Sequence, residues 1–298
     1  MWTRNDVTDQ SGKTIIVTGG NTGIGYQTVL ALYQEGANVI VACRDSYKAE
    51  SAIAQLKKYN GKGSLEVGIL NLASLDSIKQ FAKSIIEQNR QLHLLINNAG
   101  VASPPASKTN EGYELQFGVN FLGHFALTGL LYPLLQATPG SRIITLSSNG
   151  YQNAVIDFDN LKSEKNYSPL REYRQSKLAN LIFSIELDRK IKAKGDQILS
   201  IAAQPGANNT ELMRHLTAEE IAIGKERLGE FMEPGQGALS VLYAALSNEA
   251  VGGNMYEPEE GGLRGYPAKA IINDNAINEE IAKKLWDFAE KATCIYYS

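Results

Sequence analysis

The stretch Thr14-Ile15-Ile16-Val17-Thr18-Gly19-Gly20-Asn21-Thr22-Gly23-Ile24-Gly25 decides the fold. Its β-branched start reads as a buried strand, and residues 26–32 beyond the glycines have a helical apolar period. Glycines between a strand and a helix permit a tight turn and let the backbone approach a pyrophosphate, whose charge sits at the helix N-terminus. The spacing Gly19-x3-Gly23-x-Gly25 departs from the commoner Gly-x-Gly-x-x-Gly and points to one branch of the dinucleotide folds. Gly19, Asn21, Thr22, Gly23, Ile24 and Gly25 are therefore the first candidate cofactor contacts. Taken alone, the same residues could also be an ordinary turn.

Outward from this turn the alternation continues. Strand-like runs occupy 38–42, 64–70, 92–97, 142–146, 198–202 and 252–256. Helical patterns fill 75–89, 120–136, 169–194, 211–232, 236–247 and 278–291. Strand–helix alternation implies right-handed crossovers and a parallel sheet covered on both faces. The expected fold is α/β: one doubly wound Rossmann-type domain over residues 1–298, with a mostly parallel seven-stranded sheet and helices on both faces. Neither a linker nor an internal repeat divides the chain. The part least tied to the sheet, 207–234, is expected to be a substrate-side lid.

Composition removes several function classes. The 298 residues are 43% hydrophobic and 20% charged, with a formal net charge of -3 and no run of five like charges, so nucleic acid is not an expected partner. The two cysteines, Cys43 and Cys294, form no disulfide framework, and His93, His124 and His215 form no ligand pair, so no metal is expected. The first residues lack the apolar core of a signal peptide. Residues 117–141 carry no charge, but Asn120, Gly123, His124, Gly129 and Pro133 interrupt them, which fits a buried helix better than a membrane span. The expectation is a cytoplasmic protein without a membrane span.

Further polar residues fall at the carboxyl ends of the expected strands, where open α/β sheets bind ligands. Asn97-Asn98-Ala99-Gly100, Ser147-Ser148 and Pro205-Gly206, leading to Thr210, all sit there. Each could be no more than a turn or the start of a loop. Asn120 lies inside the uncharged helix, where a buried amide needs partners. Tyr173 and Lys177 stand four apart, on one helix face. A phenol with a pKa of about 10 is a poor acid–base group at neutral pH, and a fixed positive charge beside it favours the ionised form.

In this order the motifs resemble the short-chain dehydrogenase/reductase family over residues 12–256. The matching residues are Thr18-Gly19-x3-Gly23-Ile24-Gly25, Asn97-Asn98-Ala99-Gly100, Asn120, Ser148, Tyr173-x3-Lys177 and Pro205-Gly206. Ala42-Cys43-Arg44-Asp45, Val119-Asn120-Phe121-Leu122-Gly123-His124-Phe125 and Ser176-Lys177-Leu178-Ala179-Asn180 resemble its retinol dehydrogenase-like branch, which is similar to the light-dependent protochlorophyllide reductases. The resemblance implies an oxidoreductase that interconverts a carbonyl and an alcohol by hydride transfer. Tyr173 would be the general acid/base. Lys177 would lower its pKa and bind the nicotinamide ribose, Ser148 would polarise the substrate oxygen, and Asn120 would hold a water. Asn98, Ala99, Gly100, Pro205, Gly206 and Thr210 become cofactor contacts. So do Asn71 and Leu72, although Asn71 stands where the family often has Asp. Gln204 replaces a frequent His. The extra segment 149–170 contains Tyr151 and Tyr167, which read as substrate-side or surface groups.

For cofactor choice, NAD-preferring folds carry a carboxylate at the end of the second strand. Cys43 occupies that place here, and Arg44 follows with a guanidinium suited to a 2′-phosphate. NADP(H) is the expected cofactor, with Asp45 as a competing partner for Arg44. Leu212, Met213, Leu216, Ile221, Leu228, Phe231 and Met232 could line a lipophilic pocket or pack on the domain. Rival readings are an enone or pigment double-bond reductase on the same site, a non-catalytic NADP-sensing regulator, and a sugar-nucleotide epimerase. The family pairs as homodimers and homotetramers through the helices after Asn120 and around Tyr173, while this branch includes monomers.

Overall fold

The computed structural model describes residues 1–88, 90–215 and 217–297. The first half alternates β1 (Thr14–Thr18), α1 (Gly23–Gln34), β2 (Asn38–Cys43), α2 (Ser46–Leu56), β3 (Ser64–Ile69), α3 (Leu75–Glu87) and β4 (Leu94–Asn97). A π-helical turn, Phe117–Leu122, runs directly into α4 (Gly123–Gln136). Then follow β5 (Arg142–Leu146), α5 (Pro169–Lys194), β6 (Leu199–Ala203), α6 (Ala218–Leu228), α7 (Pro234–Leu246), β7 (Met255–Glu260), β8 (Arg264–Lys269), α8 (Asp274–Ile277) and α9 (Glu279–Thr293). Asn89, at the end of the expected helix 75–89, and Leu216 lie outside the described residues.

The sheet order is β3-β2-β1-β4-β5-β6-β7-β8. Strands β1 to β7 pair in parallel, with Ile16 opposite Ile40 on one side of β1 and Leu95 on the other. After β3 the chain crosses back to place β4 on the other flank of β1. That reversal opens a crevice at the carboxyl ends of the strands.

Alternate strand residues feed two cores, as the two-residue period of a strand requires. Ile16, Ile40, Leu95 and Ile143 point to the core under α3, α4, α5 and α9. Ile15, Val39, Ile96 and Ile144 point to the core under α1, α2 and α7. Apolar side chains on both faces explain why the strands read as continuous runs and not as alternating ones.

The sheet has eight strands where seven were expected. β8 runs antiparallel to β7, with Tyr256 opposite Lys269. Its sequence, Arg264-Gly265-Tyr266-Pro267-Ala268-Lys269, has no buried position and contains a proline, which edge strands tolerate. Nothing in its pattern marks a strand. Helix α2 was also unmarked, and the expected helix 211–232 shrinks to a single 3₁₀ turn (Glu211–Met213) and α6.

Among the described residues, Phe117–Gln136 is the one helical stretch long and apolar enough to cross a membrane, and 72% of its apolar window is buried inside the protein. Trp286 of α9 packs edge-to-face against Phe125 and at a tilt against Phe183. The Tyr297 hydroxyl donates to the Phe125 carbonyl at 2.7 Å. The chain's own C-terminal helix and the residues after it thus pack against α4 and α5.

Candidate active site

The glycine turn is shaped by main-chain crowding. Gly19 and Gly23 have φ of +64° and +55°, which favours glycine. A Cβ on Gly25 would lie 2.3 Å from the Gly19 carbonyl oxygen. Thr22 precedes α1 in an extended conformation and its side chain caps no N–H, so the first turn of the helix keeps free donors for an anion. Asn98 locks this turn to β4: its Nδ2 donates to the Thr18 carbonyl at 2.7 Å.

All seventeen cofactor candidates, counting Tyr173 as well as Lys177, line one cleft of about 830 Å³ at the carboxyl edge of the sheet, from Gly19 to Thr210. Ser148, Tyr173 and Lys177 open into the same cleft. Asn120 is fully buried behind them, in the π-helical turn. Such turns are frequent at functional sites.

Each polar group has identifiable partners. The Lys177 ammonium lies 5.8 Å from the centre of the Tyr173 ring and donates to the Leu146 carbonyl at 3.2 Å. Burial lowers its pKa to about 8. Burial also raises the Tyr173 phenol above its ordinary value, and the Ser148 hydroxyl beside it pulls in the opposite direction. The expected lowering by Lys177 is not among the influences on the phenol in this state, whose direction desolvation sets. The two serines at the end of β5 are distinct. Ser147 is buried and donates to the Lys177 carbonyl at 2.9 Å, so it braces α5. Ser148 faces the phenol.

The Asn120 amide is committed to protein partners. Its Oδ1 accepts from the Val101 N–H at 2.9 Å, and its Nδ2 donates to the Val101 carbonyl and the Ser176 hydroxyl at 3.0 and 2.9 Å. A water would have to use the remaining lone pair of Oδ1. Gly100 fits between the two groups: a Cβ there would meet Asn120 Oδ1 at 3.3 Å and Lys177 Nζ at 3.6 Å.

A short-chain dehydrogenase family model matches residues 13–221. The chain belongs to that family. It is accordingly an oxidoreductase of the kind that uses NAD(H) or NADP(H). Human retinol dehydrogenase 13 is 40% identical over 292 residues, 95% of this chain and 85% of that protein. Human retinol dehydrogenase 14 is 37% identical over 295 residues, 94% and 85% of the two chains. Mouse polyprenol dehydrogenase is 37% identical over 284 residues, 93% and 82% of the two. These relatives agree with the retinol dehydrogenase-like branch. An uncharacterised protein from Mycobacterium paratuberculosis superposes with a TM-score of 0.84 at 32% identity, over 100% of this chain and 99% of the other. Pseudomonas aeruginosa RhlG, solved as a complex with NADP, shares the fold with a TM-score of 0.69 at 23% identity, over 85% of this chain and 97% of that one.

At one end of this short-chain dehydrogenase's cleft, Cys43, Arg44, Asp45, Tyr47 and Lys48 form the lining. Asp45 caps α2, its Oδ1 accepting from the Lys48 N–H at 3.1 Å. None of the ion pairs among the described residues uses Arg44. Burial raises the Cys43 thiol, which keeps that position neutral. Asn71 turns on itself, its Oδ1 accepting from the Ala73 N–H, while Leu72 is buried beside the cleft.

At the other end, Gly206 has φ +76° and its N–H donates to Gln204 Oε1 at 2.9 Å. Thr210 packs over Gly23, where a Cβ would lie 3.3 Å from its side chain. Ala207 and Asn209 hydrogen-bond Met232, which ties the base of 207–234 into a closed loop. Of the apolar residues expected there, Leu212 lines the cleft, Met213, Ile221, Phe231 and Met232 are half-buried, and Leu228 is exposed. Leu216 lies outside the described residues. Tyr151 is not a substrate-side group: it is fully buried, and its hydroxyl meets the Ile271 carbonyl and the Asn273 N–H. Tyr167 bridges the extra segment to the Pro104 carbonyl at 2.6 Å.

Sequence reasoning named Thr18 and His124 only as members of motifs and gave neither the Thr18 hydroxyl nor the imidazole a role under the site. The signal was available: a histidine in a charge-free helix, four residues after Asn120 and so on the same face.

Proposed function

We propose that the chain is an NADP(H)-dependent oxidoreductase that interconverts a carbonyl and an alcohol on a small lipophilic substrate, with Tyr173 as general acid/base. The observation that carries this reading is that Ser148, Tyr173 and Lys177 open into the cleft that begins at the Gly19–Gly25 turn. The turn fits a dinucleotide: its glycines leave the backbone bare, as the 2.3 Å approach at Gly25 illustrates, and the N–H groups of α1 would face its diphosphate. When bound, the nicotinamide supplies or accepts the hydride.

The chain's own residues hold and move the proton. Tyr173 donates its phenolic proton to the carbonyl oxygen in reduction and recovers one from the alcohol in oxidation. Ser148 donates a hydrogen bond to the same oxygen, a bond that strengthens as negative charge develops. Lys177 would hold the nicotinamide ribose, and its positive charge would bias Tyr173 toward the phenolate. Asn120 fixes Val101 and Ser176, which flank this centre. The half-buried apolar residues of 207–234 cover the substrate. The retinol and polyprenol dehydrogenases among the relatives act on lipophilic alcohols, which supports that substrate class.

For cofactor choice, Arg44 has no carboxylate partner among the described residues, Asp45 is occupied as a helix cap and Lys48 adds a second cation. All three favour a 2′-phosphate over a 2′-hydroxyl. The test is kcat/KM for NADPH over NADH with a panel of medium-chain aldehydes and ketones. The expected ratio exceeds one. A hydrogen bond to a charged group contributes about 1.5–3 kcal/mol, so Arg44→Ala should lower the ratio about 10- to 100-fold. A wild-type ratio below one, or a ratio indifferent to Arg44→Ala, contradicts the NADP assignment.

A further inference from the structure

The proposed reaction gives no task to the most enclosed titratable group near the site. His124, the second residue of α4, is completely buried. Its Nδ1 lies 2.8 Å from the main-chain oxygen of Asn120 and its Nε2 lies 2.9 Å from the Thr18 hydroxyl. These contacts determine where the protons are. A carbonyl oxygen only accepts, so Nδ1 carries the ring proton. Burial, helped by the charge of Lys177, lowers the imidazole pKa to about 4, so at neutral pH the ring has one proton and Nε2 accepts. The Thr18 hydroxyl must then give its single proton to Nε2 in preference to the Ile96 carbonyl, which is 3.3 Å away. Its lone pairs accept from the N–H groups of Asn98 and Ala99, both at 2.9 Å.

The consequence is a continuous set of bonds across four elements. Thr18, at the end of β1, holds the start of the loop that follows β4. Asn120, in the π-helical turn, holds the end of that loop by gripping both main-chain groups of Val101. It also reaches Ser176, the neighbour of Lys177 on α5. His124 is the tie between the two grips. We propose that His124 is a positioning residue: in its Nδ1–H form it holds the Asn98–Val101 loop and Asn120 in register with Lys177, so that the proton-transfer groups keep their placement. This inference rests on the reading of the site given above. It concerns geometry, not proton transfer by the ring itself.

Two measurements test it. In wild-type protein at pH 7, ¹⁵N NMR of histidine-labelled protein, with the His124 signal assigned by its loss in His124→Asn, should show a neutral Nδ1–H tautomer. In kinetics, His124→Phe keeps ring volume and removes both bonds. It should lower kcat about 10- to 100-fold while NADPH affinity, measured by fluorescence without substrate, stays within about threefold. His124→Asn retains a donor near the Nδ1 position and should recover part of that loss. Should His124→Phe not fold, His124→Asn carries the kinetic test with an expected loss of about threefold to tenfold. An Nε2–H or doubly protonated ring would overturn the proposal, as would a kcat within about twofold of wild type in the variant that folds. Tyr173→Phe is assayed alongside. An inactive Tyr173→Phe with an unimpaired His124→Phe overturns this inference alone. An active Tyr173→Phe overturns the tyrosine reading, and the tautomer then decides whether the histidine tie exists.

Discussion

The Gly19–Gly25 turn and the 207–234 segment meet where Thr210 packs over Gly23, yet the two walls of the cleft are built in opposite ways. In the turn, position is set by main-chain contact and by buried polar side chains whose bonds are fully assigned. Gly25 rests on the Gly19 carbonyl, Asn98 reaches back to Thr18, and Thr18, His124 and Asn120 lock the loop behind it. The 207–234 wall is fastened at its base by the Ala207 and Asn209 bonds to Met232, but α6 has no buried residue. Its order comes from its own ends, a Thr217–Glu220 capping box and Gly229 at φ +76°. Packing and polar networks make the first wall costly to deform, while the second can move without opening a core. A cleft that, on the proposed reading, holds a cofactor in one geometry and admits a small lipophilic substrate benefits from that division.

Three substitutions probe the division. The largest effect is expected at the fixed wall's chemical end: Tyr173→Phe should lower turnover about 10²–10⁴-fold while nucleotide affinity is kept, because the ring still packs and only the transferable proton is lost. Steady-state kinetics beside a binding titration checks both halves. Next comes Gly25→Ala, which drives a methyl group into the Gly19 carbonyl. Overpacking of this kind costs about 1–3 kcal/mol, and nucleotide protection against thermal unfolding should vanish with it. The same change on the opposite wall is the smallest. Gly224 lies within α6, and a Cβ there would first meet the Phe231 ring edge at 3.3 Å. Gly224→Ala should leave stability unchanged or raise it by about 0.4–1 kcal/mol. Equal destabilisation by the two alanines would break the comparison.

The architecture was legible wherever a physical constraint left a pattern of residue types. Strands covered on both faces must be apolar throughout, which is why β1, β2 and β4 stood out, and a main-chain approach of 2.3 Å admits only glycine. Strand β8 left no such mark, since an exposed edge strand needs no apolar face. Helix 211–232 was overextended for a related reason: its apolar spacing is partly that of a loop folded over a cleft. In the site, spacing and strand-end placement marked Tyr173, Lys177 and Ser148 as candidates, and only the family resemblance gave them roles. The orientation of Asn120 was not, because a sequence does not say which partners an amide takes. Tyr151 was misread, since a buried tyrosine and a substrate-facing one look alike until the Ile271 and Asn273 contacts are seen. His124 escaped because its role depends on Thr18, a contact across more than a hundred residues.

Carbonyl reduction and reduction of a conjugated double bond would use the same fixed wall, so the destination of the hydride is the most direct test of the proposed chemistry. The protein would be incubated with an α,β-unsaturated aldehyde and NADPH deuterated at the transferable C4 position, and the product examined by mass spectrometry and proton NMR. The account predicts an allylic alcohol with one deuterium on the carbinol carbon. Deuterium at the carbon β to an intact aldehyde, or no NADPH consumed across the substrate panel, would contradict it.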